Sequence, residues 1–224
     1  MIRLDEINVT NDITVCENAL AKHNLSVLRD KDTPSEVFRM ATRRLARLIL
    51  TEAVKDLPLK TVTIETPLVK TESQILSPDY EIIVAPILRA ALTFSEVLQD
   101  LVPTAKVYHI GLYRDEETLQ PVTYYNKIPQ NIKDPNKVIV FVLDPMFATG
   151  GSAIEAVKIF RGLNIPEENI SFVSLIAAPE GVKKFRESYK NVKLVTGCVD
   201  KQLNDKGYIL PGLGDAGDRT FNTY

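Results

Sequence analysis

Asp144-Pro-Met-Phe-Ala-Thr-Gly-Gly-Ser152 is the stretch on which the reading of this chain turns. An unbroken apolar segment, 138–143, precedes it, and Ala153-Ile-Glu-Ala-Val-Lys-Ile-Phe160 after it has helical periodicity. The order is buried strand, acidic residue, Thr-Gly-Gly-Ser turn, helix. Open α/β sheets bind phosphates at the carboxyl ends of their strands, where helix N-termini present unpaired amides. Gly150 and Gly151 let backbone amides come close to an anion, and Thr149 and Ser152 add hydroxyl donors. Asp144 is unsuited to touching phosphate but suited to accepting hydrogen bonds from sugar hydroxyls. With a strand before and a helix after, a phosphorylated-sugar site outweighs the plainer reading, a glycine turn with a capping serine. There is no Gly-Lys-Ser/Thr as in a Walker loop and no GxGxxG dinucleotide fingerprint.

The same alternation extends on both sides. Strands are expected at 82–85, 106–112, 137–143, 170–177 and 192–199, and helices at 92–101, 153–163 and 180–189. This predicts an α/β fold with a mainly parallel twisted sheet flanked by helices. Thr33-Pro34-Ser35-Glu36 reads as a helix start, with Thr33 capping and Glu36 completing a capping box. Val37, Ala41, Leu45 and Leu48 form its apolar stripe, widened by Phe38, Ile49 and Ala53, and the helix should end near 55–57. Arg39, Arg43, Arg44 and Arg47 lie off the stripe and read as a solvated or subunit-facing edge. Residues 60–78 suggest a short extended pair, while 1–30 have no clear pattern. Two segments break the alternation: a polar connection over 113–136, long enough to be an active-site lid, and a Gly- and Asp-rich tail over 204–224.

With 224 residues, 45% of them hydrophobic, the chain can bury a full core. A net charge of -2 argues against broad nucleic-acid binding. Cys16 and Cys198 have no metal-site spacing, and Cys198 reads as a buried free thiol. No targeting signal or membrane-length apolar run is apparent, so a cytoplasmic protein without a membrane partner is expected.

The 144–152 segment resembles the ribose-5-phosphate loop of type I phosphoribosyltransferases, which bind phosphoribosyl pyrophosphate (PRPP). Its Asp-Pro-Met-x-Ala-Thr-Gly-Gly-Ser form is similar to that of the uracil phosphoribosyltransferase branch. Pro86-Ile-Leu-Arg-Ala90 resembles that branch's pyrophosphate loop. Gly111-Leu-Tyr-Arg114, with Thr118-Leu119, Pro121 and Tyr124-Tyr125, resembles its mobile loop. Gly207-Tyr-Ile-Leu-Pro-Gly-Leu-Gly-Asp-Ala-Gly-Asp-Arg219 resembles its uracil-binding tail, and 23–30 with Phe38-Arg39 its N-terminal stretch. Two positions depart from the pattern: Ala91 and Asn222 stand where the family usually has glycine.

The resemblance implies a single domain over 1–224, with an N-terminal helical extension over about 1–78, the core sheet over about 79–200 and a base-binding tail over about 201–224. It implies transfer of the 5-phosphoribosyl group from PRPP to uracil, giving UMP and pyrophosphate. PRPP would be held by Arg89, Arg114, Asp144, Pro145, Met146, Phe147, Ala148, Thr149, Gly150, Gly151, Ser152 and Asp215. Uracil would be held by Ile209, Gly214, Asp215 and Ala216, with backbone groups matching its acceptor–donor–acceptor edge. Asp144, Arg89 and Arg114 would position substrate and stabilise charge, with no general base assigned. Mg²⁺ would bind mainly through PRPP, with Asp215 its candidate protein ligand. GTP is the implied effector, and a homodimer or higher homo-oligomer the implied assembly. Two other readings stay open: a PRPP- or UMP-sensing regulator of nucleic-acid expression, and a phosphoribosyltransferase for another base.

Overall fold

The computed structural model describes residues 13–114 and 121–223, without the side chains of Arg114 and Pro121. The N-terminal part comprises β1 (Thr14–Val15), α1 (Ala19–Arg29) and α2 (Ser35–Ala53), then a hairpin of β2 (Leu59–Glu65) and β3 (Lys70–Leu76). The middle comprises β4 (Glu81–Leu88), α3 (Leu92–Leu101), β5 (Lys106–Val107), β6 (Ile110–Arg114), β7 (Pro121–Asn126), β8 (Val138–Leu143) and β9 (Met146–Phe147). There follow α4 (Gly151–Gly162), β10 (Ile170–Ser174), β11 (Ile176–Ala177), α5 (Pro179–Ser188) and β12 (Lys193–Thr196). The tail forms β13 (Gln202–Leu203), β14 (Ile209–Leu210) and α6 (Ala216–Phe221).

The main sheet runs β1–β12–β10–β8–β4–β6–β7, with β5 also paired to β4. All its pairs are parallel except β6 with β7. Successive strand residues face opposite sides. Ile82, Val84, Phe141 and Leu143 pack into one apolar cluster with Leu28 of α1, Phe38 and Leu45 of α2, and Phe94 of α3. Ile83, Ala85, Val140 and Val142 pack on the other face with Val157 and Phe160 of α4 and Phe185 of α5. Full burial of each such Phe or Leu is worth about 1.5–3 kcal/mol. The predicted sheet covered on both faces is the one observed.

From β4 the chain moves outward to β5 and β6, then returns to β8 on the opposite side of β4. Strand order reverses between β4 and β8, which are in register with Pro86 opposite Leu143. Such a reversal opens a crevice beyond the strand ends. Arg89 leaves β4 and Asp144 leaves β8 at that crevice.

Several local expectations are corrected. The capping box at 33–36 does not form: Pro34 precedes α2 without a side-chain cap, and the Thr33 hydroxyl donates to the Val27 carbonyl at 2.7 Å, tying α1 to α2. The α2 helix ends at Ala53, and Val37 and Leu48 are only half-buried because its burial is centred on Phe38, Leu45 and Ile49. The arginine edge is not merely solvated. Arg39 donates to the Thr220 carbonyl at 2.9 Å, and Arg43 and Arg47 pair with Glu96 and Asp100 of α3. Cys198 is half-buried, whereas Cys16 is buried; burial raises both thiol pKa values. The 113–136 connection contains β7, antiparallel to β6, so it is a hairpin for much of its length. Gly111 leaves room there for the Tyr124 ring, which a Cβ would meet at 2.6 Å. Thr118, Leu119 and the side chain of Arg114 lie outside the described residues. Of 1–30, the described residues form β1, two residues long and paired as an edge to β12, and the helix α1.

Candidate active site

The 144–152 segment is anchored from below. The Asp144 amide donates to the Val173 carbonyl at 3.1 Å, and the amides of Leu175 and Ile176 both donate to the Pro145 carbonyl. The Phe147 ring packs edge-on to Phe172, with centroids 5.0 Å apart, and against Phe185. Pro145 and Phe147 are thus footings, while Met146, Ala148 and Ser152 face the cleft. The Asp144 carboxylate accepts the Met146 amide at 3.1 Å, which orients it at the mouth.

Gly150 caps α4 with φ 77°, a left-handed conformation that glycine adopts without strain. A Cβ there would also stand 2.7 Å from the Gly181 carbonyl oxygen. Gly181, in the first turn of α5, is tighter still: its Cβ would meet the Ala148 carbonyl at 2.0 Å. Two backbones cross here at a distance only glycines permit. The first amides of α4, at Gly151, Ser152 and Ala153, precede the helix's own hydrogen-bond ladder and carry its positive dipole end. With Thr149 they line a small hollow of about 30 Å³ beside Asp144. Gly181 had no motif in the sequence; its role is visible only once α5 lies across the loop.

Across the cleft stands the tail. A cavity of about 470 Å³ is lined by Asp144, Met146, Ala148 and Ser152 on one side and Ile209, Gly214, Asp215 and Ala216 on the other. Residues assigned to sugar-phosphate and to base therefore share one space, together with Lys206 and Tyr208, which the sequence reading did not single out. Gly214 has φ 78°, and Asp215 caps α6 by accepting the Asp218 amide at 2.9 Å. A Cβ on Gly217 would stand 3.2 Å from that same Asp215 oxygen.

The tail is fixed by groups that the sequence reading missed. Buried Arg219 donates to the carbonyls of Leu28, Asp30 and Leu213, and its guanidinium lies 4.4 Å from the centre of the Phe38 ring. Leu28 and Asp30 end α1, so a cation meets the negative end of that helix. Buried Asp200 accepts the Gly212 amide at 3.0 Å and pairs with Arg29, which donates to the Gly212 carbonyl at 2.9 Å. Burial alone would lower the pKa of Arg29, but its hydrogen bond and attraction to Asp200 raise it, so it is firmly charged. The resemblances of 23–30 and of 207–219, which ends on Arg219, were the available signals.

Arg89 is exposed, and it is ion-paired with Asp218 at 3.2 Å, beside the Phe221 ring. Its neighbour Ala90, rather than Arg89 itself, lines the cavity. The two departures from the usual glycines are accommodated. Ala91 has φ -81°, which needs no glycine, and its methyl group is fully buried in the core. Asn222 has φ 57°, a conformation Asn tolerates better than other side-chain-bearing residues, and its Oδ1 accepts the Ser35 hydroxyl at 3.2 Å.

The sequence profile described as "Uracil phosphoribosyltransferase" matches residues 15–223. The chain belongs to the uracil phosphoribosyltransferase family. Relatives bearing that name include one from Dictyoglomus thermophilum, 45% identical over 94% of this chain and 99% of its own. Another, from Streptococcus pneumoniae, is 48% identical over 94% and 98%. A solved structure of an Aquifex aeolicus protein superimposes with a TM-score of 0.84 at 39% identity, covering 94% of this chain and 98% of that one. An adenine phosphoribosyltransferase from Trypanosoma brucei, with a TM-score of 0.58 at 11% identity and coverage of 90% and 89%, shares the fold alone. As a member of the uracil phosphoribosyltransferase family, the chain is a pentosyl-transferring enzyme of type I phosphoribosyltransferase fold.

Proposed function

We propose that this chain transfers the 5-phosphoribosyl group of PRPP to N1 of uracil, giving UMP and pyrophosphate. The observation that carries this is the single cavity in which Asp144 and Ser152 face Ile209, Gly214 and Ala216. Thr149, Gly150, Gly151 and Ser152 anchor the 5-phosphate at the start of α4. Asp144, oriented by the Met146 amide, accepts hydrogen bonds from the ribose diol. Met146 and Ala148 meet the sugar-phosphate along the loop; Pro145 and Phe147 hold that loop in place. Arg89 exchanges Asp218 for the departing pyrophosphate, whose negative charges attract it more strongly. Arg114, whose side chain lies outside the described residues, would meet the pyrophosphate from the end of β6 and help keep water from PRPP. Backbone groups of Ile209, Gly214 and Ala216 read the base, with Asp215 beside them. Cytosine would leave one of those groups unpaired, at about 1–3 kcal/mol. Charge develops at the anomeric carbon without a covalent nucleophile, so catalysis is mainly positioning and electrostatics.

Among the described residues no group of three or more His, Cys, Asp or Glu forms a metal cage. Asp144 and Asp215 line the same cavity and would be the side chains able to meet a Mg²⁺ brought with PRPP, which would neutralise charge on the leaving group. The reading extends to one domain over 1–224, a cytoplasmic setting, a homo-oligomer and GTP as effector. Among the described residues no helix is long and apolar enough to cross a membrane. The regulator reading is not favoured by relatives named as enzymes.

Purified protein given PRPP, Mg²⁺ and labelled uracil is expected to yield labelled UMP. Absence of UMP at every salt and GTP concentration tried would overturn the proposal.

A further inference from the structure

The base-reading groups flank a turn that makes no regular secondary structure beyond β14. Between Ile209 and Gly214 lie Leu210, Pro211, Gly212 and Leu213, with Gly212 at φ 64°. The Gly212 peptide is gripped on both its polar groups. Its amide donates to Asp200 Oδ2 at 3.0 Å, and its carbonyl accepts from Arg29 Nη1 at 2.9 Å. The same Arg29 nitrogen reaches Asp200 Oδ2 at 3.0 Å, and its second nitrogen bonds Asp200 Oδ1, closing a forked pair. Asp200 side-chain exposure is 2% and that of Arg29 is 23%, so solvent screens the pair little. The chain is tight at this peptide: a Cβ at Gly212 would stand 2.2 Å from the Ile209 carbonyl oxygen. Ile209 is held by its pairing with β13 and Leu213 by Arg219; between them the Gly212 peptide, gripped by Arg29 and Asp200, helps set the separation of Ile209 from Gly214.

We infer that Arg29 and Asp200 are positioning residues for the base: through Gly212 they set the spacing of the backbone groups that read uracil, and neither touches the substrate. This rests on the functional reading above. The sugar-phosphate loop is anchored by the Val173 carbonyl and the amides of Leu175 and Ile176, and none of these bonds involves the side chain of Arg29 or Asp200. Loss of the pair should thus weaken uracil selectively. A misplacement of about 1 Å can cost about a hundredfold in rate.

Removing Arg29 alone would strand a buried carboxylate, which threatens folding. The decisive variant is therefore the neutral double substitution Arg29→Ala with Asp200→Asn, in which the Asn oxygen still accepts the Gly212 amide. The expected result is a rise of about tenfold or more in KM for uracil, a fall in discrimination against cytosine, and a KM for PRPP changed by less than about twofold. Arg29→Lys keeps the charge and loses the fork, so it should show a smaller rise with the same selectivity. It carries the test should the double variant not fold. Added methylguanidinium should recover part of the uracil affinity of Arg29→Ala. A folded variant whose two KM values rise together, or whose uracil KM does not move, would overturn the inference. Absence of uracil-dependent UMP in the unsubstituted protein would instead overturn the functional reading.

Discussion

The 144–152 loop and the 209–216 turn face each other across one cavity, but they are held in place by opposite means. The loop continues strand β8 into helix α4, and its anchors come from the neighbouring strand and the helix that follows it. The turn has little regular structure, and the Gly212 carbonyl at its centre is held by Arg29, 183 residues earlier in the chain. A phosphate can be bound by generic backbone amides at a helix start. A planar base needs donors and acceptors at fixed separations, and a short turn holds those only when gripped from outside.

The comparison can be broken from the loop side first. Asp144→Asn keeps the oxygen that accepts the Met146 amide but removes the charge proposed to meet the ribose diol. Expected is a loss of about a hundredfold or more in kcat/KM, with unfolding free energy changed by less than about 1 kcal/mol. Equal activity in steady-state assays would remove Asp144 from its role. Gly181→Ala forces a methyl group onto the Ala148 carbonyl. It should cost about 1–3 kcal/mol in denaturant unfolding and raise KM for PRPP more than KM for uracil. A uracil-selective effect would erase the division between the two regions.

Smaller effects probe the tail. Asn222→Ala loses the Ser35 contact and places alanine at φ 57°, so about 1–2 kcal/mol of stability should go, while Asn222→Gly should be nearly neutral. Chemical denaturation of the three proteins measures this. The smallest effect concerns Cys198, beside Arg29 and Asp200, whose thiol pKa is raised first by burial and then by Asp200. The folded state keeps a proton that the unfolded chain releases. This contribution to stability is present below about pH 8.5 and is lost as pH rises through the unfolded and then the folded value. Unfolding curves across that range should therefore show the unsubstituted protein losing ground to Cys198→Ala.

How legible each region was follows from the same difference. In the loop, an apolar strand, one acid, two glycines and a helical repeat are contiguous, so local chemistry was enough to place Asp144 and Gly150. The sheet was legible for the same reason, because strands buried on both faces read as apolar runs. Asp200 carries no such mark: it is one acid after a short strand, and only the fold brings it to Gly212 and Arg29. Gly181 was hidden because its need arises from a crossing of two backbones. The capping box misled because Pro34, not Thr33, occupies the cap position, and the Thr33 hydroxyl donates to the Val27 carbonyl of α1.

The most direct test gives the protein PRPP, Mg²⁺ and equal amounts of uracil and cytosine, and follows UMP, CMP and pyrophosphate together. The account predicts UMP and pyrophosphate in equal amounts, with CMP lower by about tenfold to a hundredfold or more. Pyrophosphate released without nucleotide, or CMP formed as readily as UMP, would contradict it.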